Sequence, residues 1–349
     1  MKGLKKIALA TAIAAAPFAS HAGMKALDDT AMGNVTGQAG VTIELQTKVS
    51  IGEFRYTDTD GYQTDPTKPI VDGFGNPYAD AAEGGSFVVS GITLGGAGVA
   101  GGLTAKDAVA FKKFVEEGGN PVDFTPTQDS GLLDDLAINI DVAANGDAII
   151  HIASLSTIDI DGDGTPDSPA PIDWGVTVDE IKLSSSAGAE TTLISGMSGY
   201  GYLAKLDIAV RNQDTVETGQ TAGTGLLNIS TAFNVADMDF DVDFMGVGIR
   251  DLKVSGSLPV GGTGNATADA YLSKGYAYVD VNVYSGEAKA AGVNEALNID
   301  VNDVYLDVSI GDILIGNDGT GTGGPNLSIG SVALNNVAIT DTKLVVYGR

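Results

Sequence analysis

From residue 136 to the C-terminus, apolar side chains recur at every second position. The runs are separated by Gly, Asn and Asp rather than by helical stretches: LAINIDVA, DAIIHIASLSTIDI, WGVTVDEIKLS, TTLISGMSGYGYLAKLDIAV, LLNISTAFNVADMDFDVDF, GVGIRDLKVSGSL, ADAYLSKGYAYVDVNVYSG, ALNIDVNDVYLDVSIGDILI and LSIGSVALNNVAITDTKLVVYG. A period of two gives a strand with two unlike faces. Many such strands joined by short polar turns make an antiparallel sheet, not βαβ units. The pattern therefore predicts an all-β fold: an elongated antiparallel β-meander, as a curved sheet, sandwich or barrel-like form, with one short helix. Looser self-similarity between units such as GVGIRDLKV and SVALNNVAI keeps a β-solenoid as the alternative. In LNIDVNDVYLDVSI the apolar parity flips, from Leu297, Ile299 and Val301 to Val304, Leu306, Val308 and Ile310. A bulge at Asn302-Asp303 would return both halves to one face.

The alternation starts earlier, at Val41, Ile43, Leu45, Thr47 and Val49, which predicts a strand whose odd positions face the core. Residues 57–85 are turn-rich. Residues 104–118 carry the one clear helix signal: Thr104 and Asp107 have capping-box spacing, Val109, Phe111, Phe114 and Val115 supply apolar contacts, and Gly118 follows as a stop. This helix is expected to pack over a sheet edge or barrel end. Met24, Leu27, Met32 and Val35 suit a second short helix. No linker interrupts the chain after residue 40, so 41–349 reads as one elongated β domain.

Residues 1–22 read as a signal peptide. Lys2, Lys5 and Lys6 form a positive start, Ile7 to Phe18 an apolar stretch, and Ser20-His21-Ala22 a small-residue cleavage site. The expected location is therefore exported: periplasm, outer-membrane surface or extracellular, with no transmembrane segment after cleavage. The chain has 45 acidic and 19 basic residues, a formal net charge of −26. Such a chain repels phosphate backbones, which argues against nucleic-acid partners. Without cysteine it has no disulfide framework, thiolate metal site or Cys nucleophile.

Three features coincide near the N-terminus: the signal segment, the 23–40 box with Met24-Lys25-Ala26-Leu27-Asp28-Asp29 and Val35-Thr36-Gly37-Gln38-Ala39-Gly40, and a strand leading into Phe54-Arg55-Tyr56-Thr57-Asp58-Thr59-Asp60-Gly61. Together they resemble the exported FilA-like pilus-assembly proteins of Gammaproteobacteria. The stretches WGVTVDEIKLS and LLNISTAFNVADMDFDVDFMGVGIRDLKVSG look like the same family. The resemblance implies a filament or pilus role at the cell surface, with self-association or other surface and pilus proteins as partners. It carries over no catalytic residue. The box itself reads as a cap on the first strand's sheet edge, a docking element or a processed leader.

The sharpest local chemistry is Asp159, Asp161, Asp163, Thr165 and Asp167 around Gly162 and Gly164. Hard oxygens at alternating positions with a glycine for the turn are the first part of a Ca²⁺ loop, although Ala170 stands where a bidentate Glu is expected. The expectation is a weak structural Ca²⁺ site, with a solvated turn as the alternative. Asp58, Asp60 and Asp65 form a thinner version. Asp237, Asp239, Asp241 and Asp243 alternate with Met238, Phe240, Val242 and Phe244, which predicts an acidic face screened by Arg250 and Lys253 and an apolar face turned to the core. His151 reads as a strand-surface residue, and the glycine run from Gly95 to Gly102 as a flexible loop. Few catalytic residue types are present. The expected function is a non-enzymatic exported structural protein, a fimbria- or filament-associated subunit or accessory. The alternatives are a surface β-protein that binds a lipid or other amphiphile and, less favoured, a β-helical glycan-active enzyme.

Overall fold

Fourteen strands and two helices follow one another in the computed structural model, which describes residues 40–58, 74, 84–123, 131–158, 168–212, 220–221, 223–288, 295–316 and 324–347. The chain divides into two compact units, Met1–Ala39 and Gly40–Arg349, and the described residues all belong to the second. The strands are β1 (Gly40–Thr47), β2 (Val49–Thr57), β3 (Gly85–Gly95), β4 (Leu133–Val142), β5 (Ala148–Ser154), β6 (Thr157–Ile158), β7 (Ser168–Pro169), β8 (Ile172–Ser185), β9 (Glu190–Arg211), β10 (Leu226–Val242), β11 (Val247–Ser255), β12 (Ala277–Gly286), β13 (Ala296–Ile315) and β14 (Leu327–Val346). The helices are α1 (Ala105–Glu116) and α2 (Ala266–Leu272). The signal peptide, nearly all of the 23–40 box and the suggested 24–35 helix lie outside the described residues.

Every strand pairing is antiparallel, so the fold is all-β and a solenoid of parallel coils is not the arrangement. Consecutive strands pair as a meander would have it from β8 to β11 and from β12 to β14, and so do β2 with β3, β4 with β5 and β6 with β7. The simple meander fails elsewhere because the long strands each accept two shorter ones end to end. The 22-residue β9 takes β8 along its first part and β5 along its last. On its outer side β10 takes β12 and then β11, and the 20-residue β13 pairs with both. β3 and β2 lie beyond β8, β4 and β1 beyond β5, and β14 beyond β13.

Residues paired across strands share a face, so register sorts the side chains into rows. One row crosses eight strands as Val41, Ile140, Ile150, Ile208, Ile229, Val281, Val301 and Thr342. The next apolar row runs Ile43, Ile138, Ile152, Leu206, Thr231, Val279, Val304 and Ile339. Between them, on the opposite face, lies Thr42, Asn139, His151, Asp207, Ser230, Asp280, Asp303 and Thr340. The register slips by one between Asp280 and Val281, leaving Asn302 unpaired. This is the bulge expected from the parity flip, and it keeps Val301 and Val304 on one face.

The helices lie on the polar face. Ala268 and Leu272 of α2 pack on Ala232 of β10 and Tyr278 of β12 to form the best-buried apolar cluster, with Ala204, Tyr271, Tyr276 and Tyr305 around it. The buried side is therefore the polar one: Ser230, Asn282, Tyr284, Asn298 and Asp300 are buried, while Ile229, Val281, Val283 and Ile299 are half-exposed. This corrects the expected orientation of the first strand. Val41, Ile43, Leu45 and Val49 stay 36–59% exposed, because β1 and β2 are edge strands and nothing among the described residues covers their apolar side. Met238, Phe240 and Val242 are likewise half-exposed rather than core, and Phe244 is exposed in a short 3-10 turn.

Helix α1 forms where its cap predicts. The Thr104 hydroxyl accepts from the Asp107 amide at 3.2 Å, and the same hydroxyl donates to the Asp107 carboxylate at 3.0 Å. It lies against the sheet's face beside β8 and β9, not over an edge. Helix α2 was not expected, since ADAYL reads equally as a strand. Asn265 starts it by accepting from the Thr267 and Ala268 amides at 3.0 and 3.2 Å.

Candidate functional site

A cleft of about 610 Å³ opens on the polar face between α1 and α2. Its floor is Tyr202 and Ala204 of β9. Ala108 and Val109 of α1 form one wall, Tyr271 and Tyr276 at the end of α2 the other, and Ile158, Pro169 and Pro171 around the small β6–β7 hairpin close a third side. Lys112 and Lys274 stand exposed among the lining residues, and none of those residues is Asp or Glu.

Each wall has a local cause. A buried carboxylate, Asp173 on β8, accepts from the Ala97 amide at 2.8 Å and from the Ala105 amide at 3.4 Å. It thereby ties both the 3-10 turn Ala97–Ala100 and the first turn of α1 to the sheet. Burial pushes the Asp173 pKa up, against the pull of those two amides. The glycine run leading into α1 is not a flexible loop. A Cβ on Gly95, Gly96 or Gly102 would collide with the Gly131 carbonyl, the Leu132 carbonyl or the Tyr200 ring, so these glycines are what permits the close approach. The Tyr202 hydroxyl donates to the Leu103 carbonyl at 2.9 Å and so holds the chain entering α1.

The cleft is apolar enough to shift its phenols. Burial above all, with the charge of Tyr200 and Asp173 adding to it, holds Tyr202 far above the ordinary tyrosine range. Burial also raises Tyr271, opposed by Lys205, and raises Tyr276 unopposed. The Lys205 ammonium lies 6.0 Å from the centre of the Tyr271 ring. Among the described residues the hydroxyls of Tyr271 and Tyr276 have no hydrogen-bond partner and Lys274 has no ion pair.

The residues singled out in the sequence are scattered. Asp159, Asp161, Asp163, Thr165 and Asp167 lie outside the described residues, as do Asp60 and Asp65; only the β6–β7 pair that brackets the first loop is described. Among the described residues no group of three or more His, Cys, Asp or Glu is placed to hold a metal ion. Asp237, Asp239 and Asp241 do line β10, and Arg250 pairs with Asp241 at 2.7 Å. Asp239 accepts from the Asp251 amide, while burial raises the Asp237 pKa, with Asp239 and Asp251 adding and Lys253 opposing. Asp243 leaves the ladder by entering the 3-10 turn. His151 is on the strand surface and its Nδ1 contacts Asp207. Burial works against the Asp207 carboxylate, but His151 and Lys205 together hold its pKa below the usual value. Sequence reasoning missed the cleft because its lining comes from segments far apart in the chain.

A second candidate surface is the apolar face itself. Its rows end on two strand edges, the β1–β2 edge and β14, which pair on one side only among the described residues. Seven of the apolar residues of β14 are at least 43% exposed: Leu327, Ile329, Val332, Leu334, Ile339, Leu344 and Val346. No described helix is long and apolar enough to cross a membrane, which says nothing of strands. No curated protein and no solved structure matches the chain. Residues 1–144 match the model of a family of unknown function, DUF6160, whose description carries no activity and no link to the FilA-like proteins.

Proposed function

We propose that this chain is an exported, non-enzymatic structural protein of the cell surface that assembles with copies of itself into a filament-like array. The observation that supports this reading most is the apolar face bounded by two edges that pair on one side only among the described residues. Residues 40–57 and 327–346 are edge segments of similar length, and they run in opposite directions across the sheet. The β14 edge of one copy set against the β1–β2 edge of the next would therefore continue the antiparallel alternation, with the apolar rows still on one side. Contact between two different edges is heterologous, so it propagates instead of closing on a pair. The apolar face is also large enough to matter. Eight strands about 4.8 Å apart and about 18 residues long at ~3.3 Å per residue give roughly 2,000 Å². Edge pairing alone leaves that face open, so a face of this size has room for a stacked copy as well, a standard stable interface needing only ~800 Å² per partner. The sequence reading of a signal segment and the resemblance to filament-associated proteins agree with this role.

Sedimentation and electron microscopy of the purified mature chain test it. The wild type is expected to form particles that lengthen with concentration. The double variant Ile43→Lys, Ile339→Lys places a charge on the same row at opposite edges, at positions 44% and 43% exposed. It should keep the wild-type circular dichroism and stay monomeric. A wild type that is monomeric at all concentrations, or a variant that assembles equally well, rejects the reading.

A further inference from the structure

The cleft between α1 and α2 is independent of the sheet edges. We propose that it binds a long-chain fatty acid, with the hydrocarbon between the helices and the carboxylate at Lys112 and Lys274. Three observations converge on this ligand. The first is size and lining. At about 610 Å³ the cleft falls in the ~300–1,000 Å³ range of small-molecule sites, and Ala108, Val109, Ile158, Pro169 and Ala204 present only apolar atoms from their side chains.

The second is charge. The chain carries 45 acidic against 19 basic residues, yet the lining holds two lysines and no acid. Lys274 is unpaired among the described residues. Lys112 makes only a long, exposed contact with Glu116 at 3.9 Å, so both ammoniums are available to an anion. The third is the state of the phenols. Among the described residues Tyr271 and Tyr276 line the cleft with hydroxyls that have no hydrogen-bond partner and can donate to a carboxylate, whereas the Tyr202 hydroxyl is committed to the Leu103 carbonyl and leaves only its ring for the chain. An apolar trough whose lining includes two ammoniums and two hydroxyl donors suits an anionic amphiphile better than a sugar or a neutral lipid.

Fluorescence titration of the purified chain with cis-parinaric acid and with its uncharged methyl ester tests the proposal. The acid should bind more tightly than the ester. Lys112→Met with Lys274→Met should weaken the acid about tenfold, the scale of a lost charge-assisted contact, and leave the ester unchanged. Ala108→Trp should fill the trough and abolish binding of both. The lysine variant alters exposed side chains only, so it keeps the test decisive if Ala108→Trp fails to fold. No binding by the folded wild type, equal affinity for acid and ester, an unchanged lysine variant, or binding that survives Ala108→Trp each overturns the proposal. None of these results bears on assembly through the sheet.

Discussion

Removing the Asp173 carboxylate probes a buried contact that holds the cleft's helical wall to the sheet. In Asp173→Ala the Ala97 amide, in a residue with no exposed surface, loses its acceptor, and so does the Ala105 amide, in a residue 6% exposed. A buried donor left unmade costs about 1–3 kcal/mol. The 2.8 Å bond carries most of that and the 3.4 Å bond little. Against the loss stands the relief of a carboxylate that burial disfavours when charged, as its raised pKa records. A net loss of about 2 kcal/mol results, read as a fall of roughly 0.5–1 M in the urea midpoint at neutral pH. Asp173→Asn keeps an oxygen for Ala97 and should lose less. The pH dependence has a definite sign. The folded pKa is raised, so the cost of ionising Asp173 is absent below the ordinary value of 3.8 and fully present above the folded value. Wild-type stability gains from this group as pH falls through that window, and Asp173→Ala lacks the gain. The gap between the two proteins should therefore widen on acidification. Equal midpoints at neutral pH, or a gap that narrows with acid, would refute this account of how α1 is anchored.

Three further outcomes follow from named contacts. Asp300 is buried, with Oδ2 taking the Tyr284 hydroxyl at 2.9 Å and the Lys343 ammonium at 2.6 Å, and with Oδ1 unpartnered. Lys343→Met removes the counter-charge paired with it, so thermal unfolding should show a loss of about 1–3 kcal/mol, reduced from the fully buried case because Lys343 is 59% exposed. Thr104→Ala removes the α1 cap and should cost about 1 kcal/mol in urea unfolding, while Thr104→Ser should cost little. The 159–167 loop is expected to bind Ca²⁺ weakly: the melting temperature should rise with millimolar calcium, less with magnesium, and Asp161→Ala with Asp163→Ala should remove the rise; an unchanged rise in that variant would make the loop a plain turn.

The legible parts of this fold are those that local chemistry decides. Parity alone located the bulge at Asn302, because a one-residue slip would move every later side chain to the other face. The Thr104–Asp107 spacing located α1, because a helix start needs an acceptor for its first free amides. Helix α2 escaped because the seven residues ATADAYL suit either state, and it is Asn265 that distinguishes them. The larger error was one of direction. Alternation at Val41, Ile43 and Leu45 states that a strand has two faces, but not which one the rest of the chain will cover. That choice is made by Ala268 and Leu272, more than two hundred residues away, which settle on the polar side at Ala232 and Tyr278. The cleft was illegible for the same reason, as residues near 108, 158, 202 and 274 meet only after the sheet is built.

A sheet that buries its polar side must satisfy what it buries. This one does so across strands: Asn228 donates to Asp280 and Asn282, Asn302 donates to Asp280, and Ser230 lies within hydrogen-bond distance of Tyr278. Such pairing satisfies most of what the polar face buries, Asp300 Oδ1 excepted, while nothing among the described residues covers the apolar face. Under the proposed function a second copy covers it. Hydrocarbon offers no hydrogen bonds to the outward amides and carbonyls of an open edge, each a cost of several kcal/mol, which is why sheets that span membranes close into barrels. A copy added at an edge would supply the missing ladder of backbone bonds, and a copy stacked on the face would supply the apolar cover. Under the proposed function, Ile43 and Ile339, exposed at opposite edges, mark the two unlike edges whose contact would let an array grow in one direction.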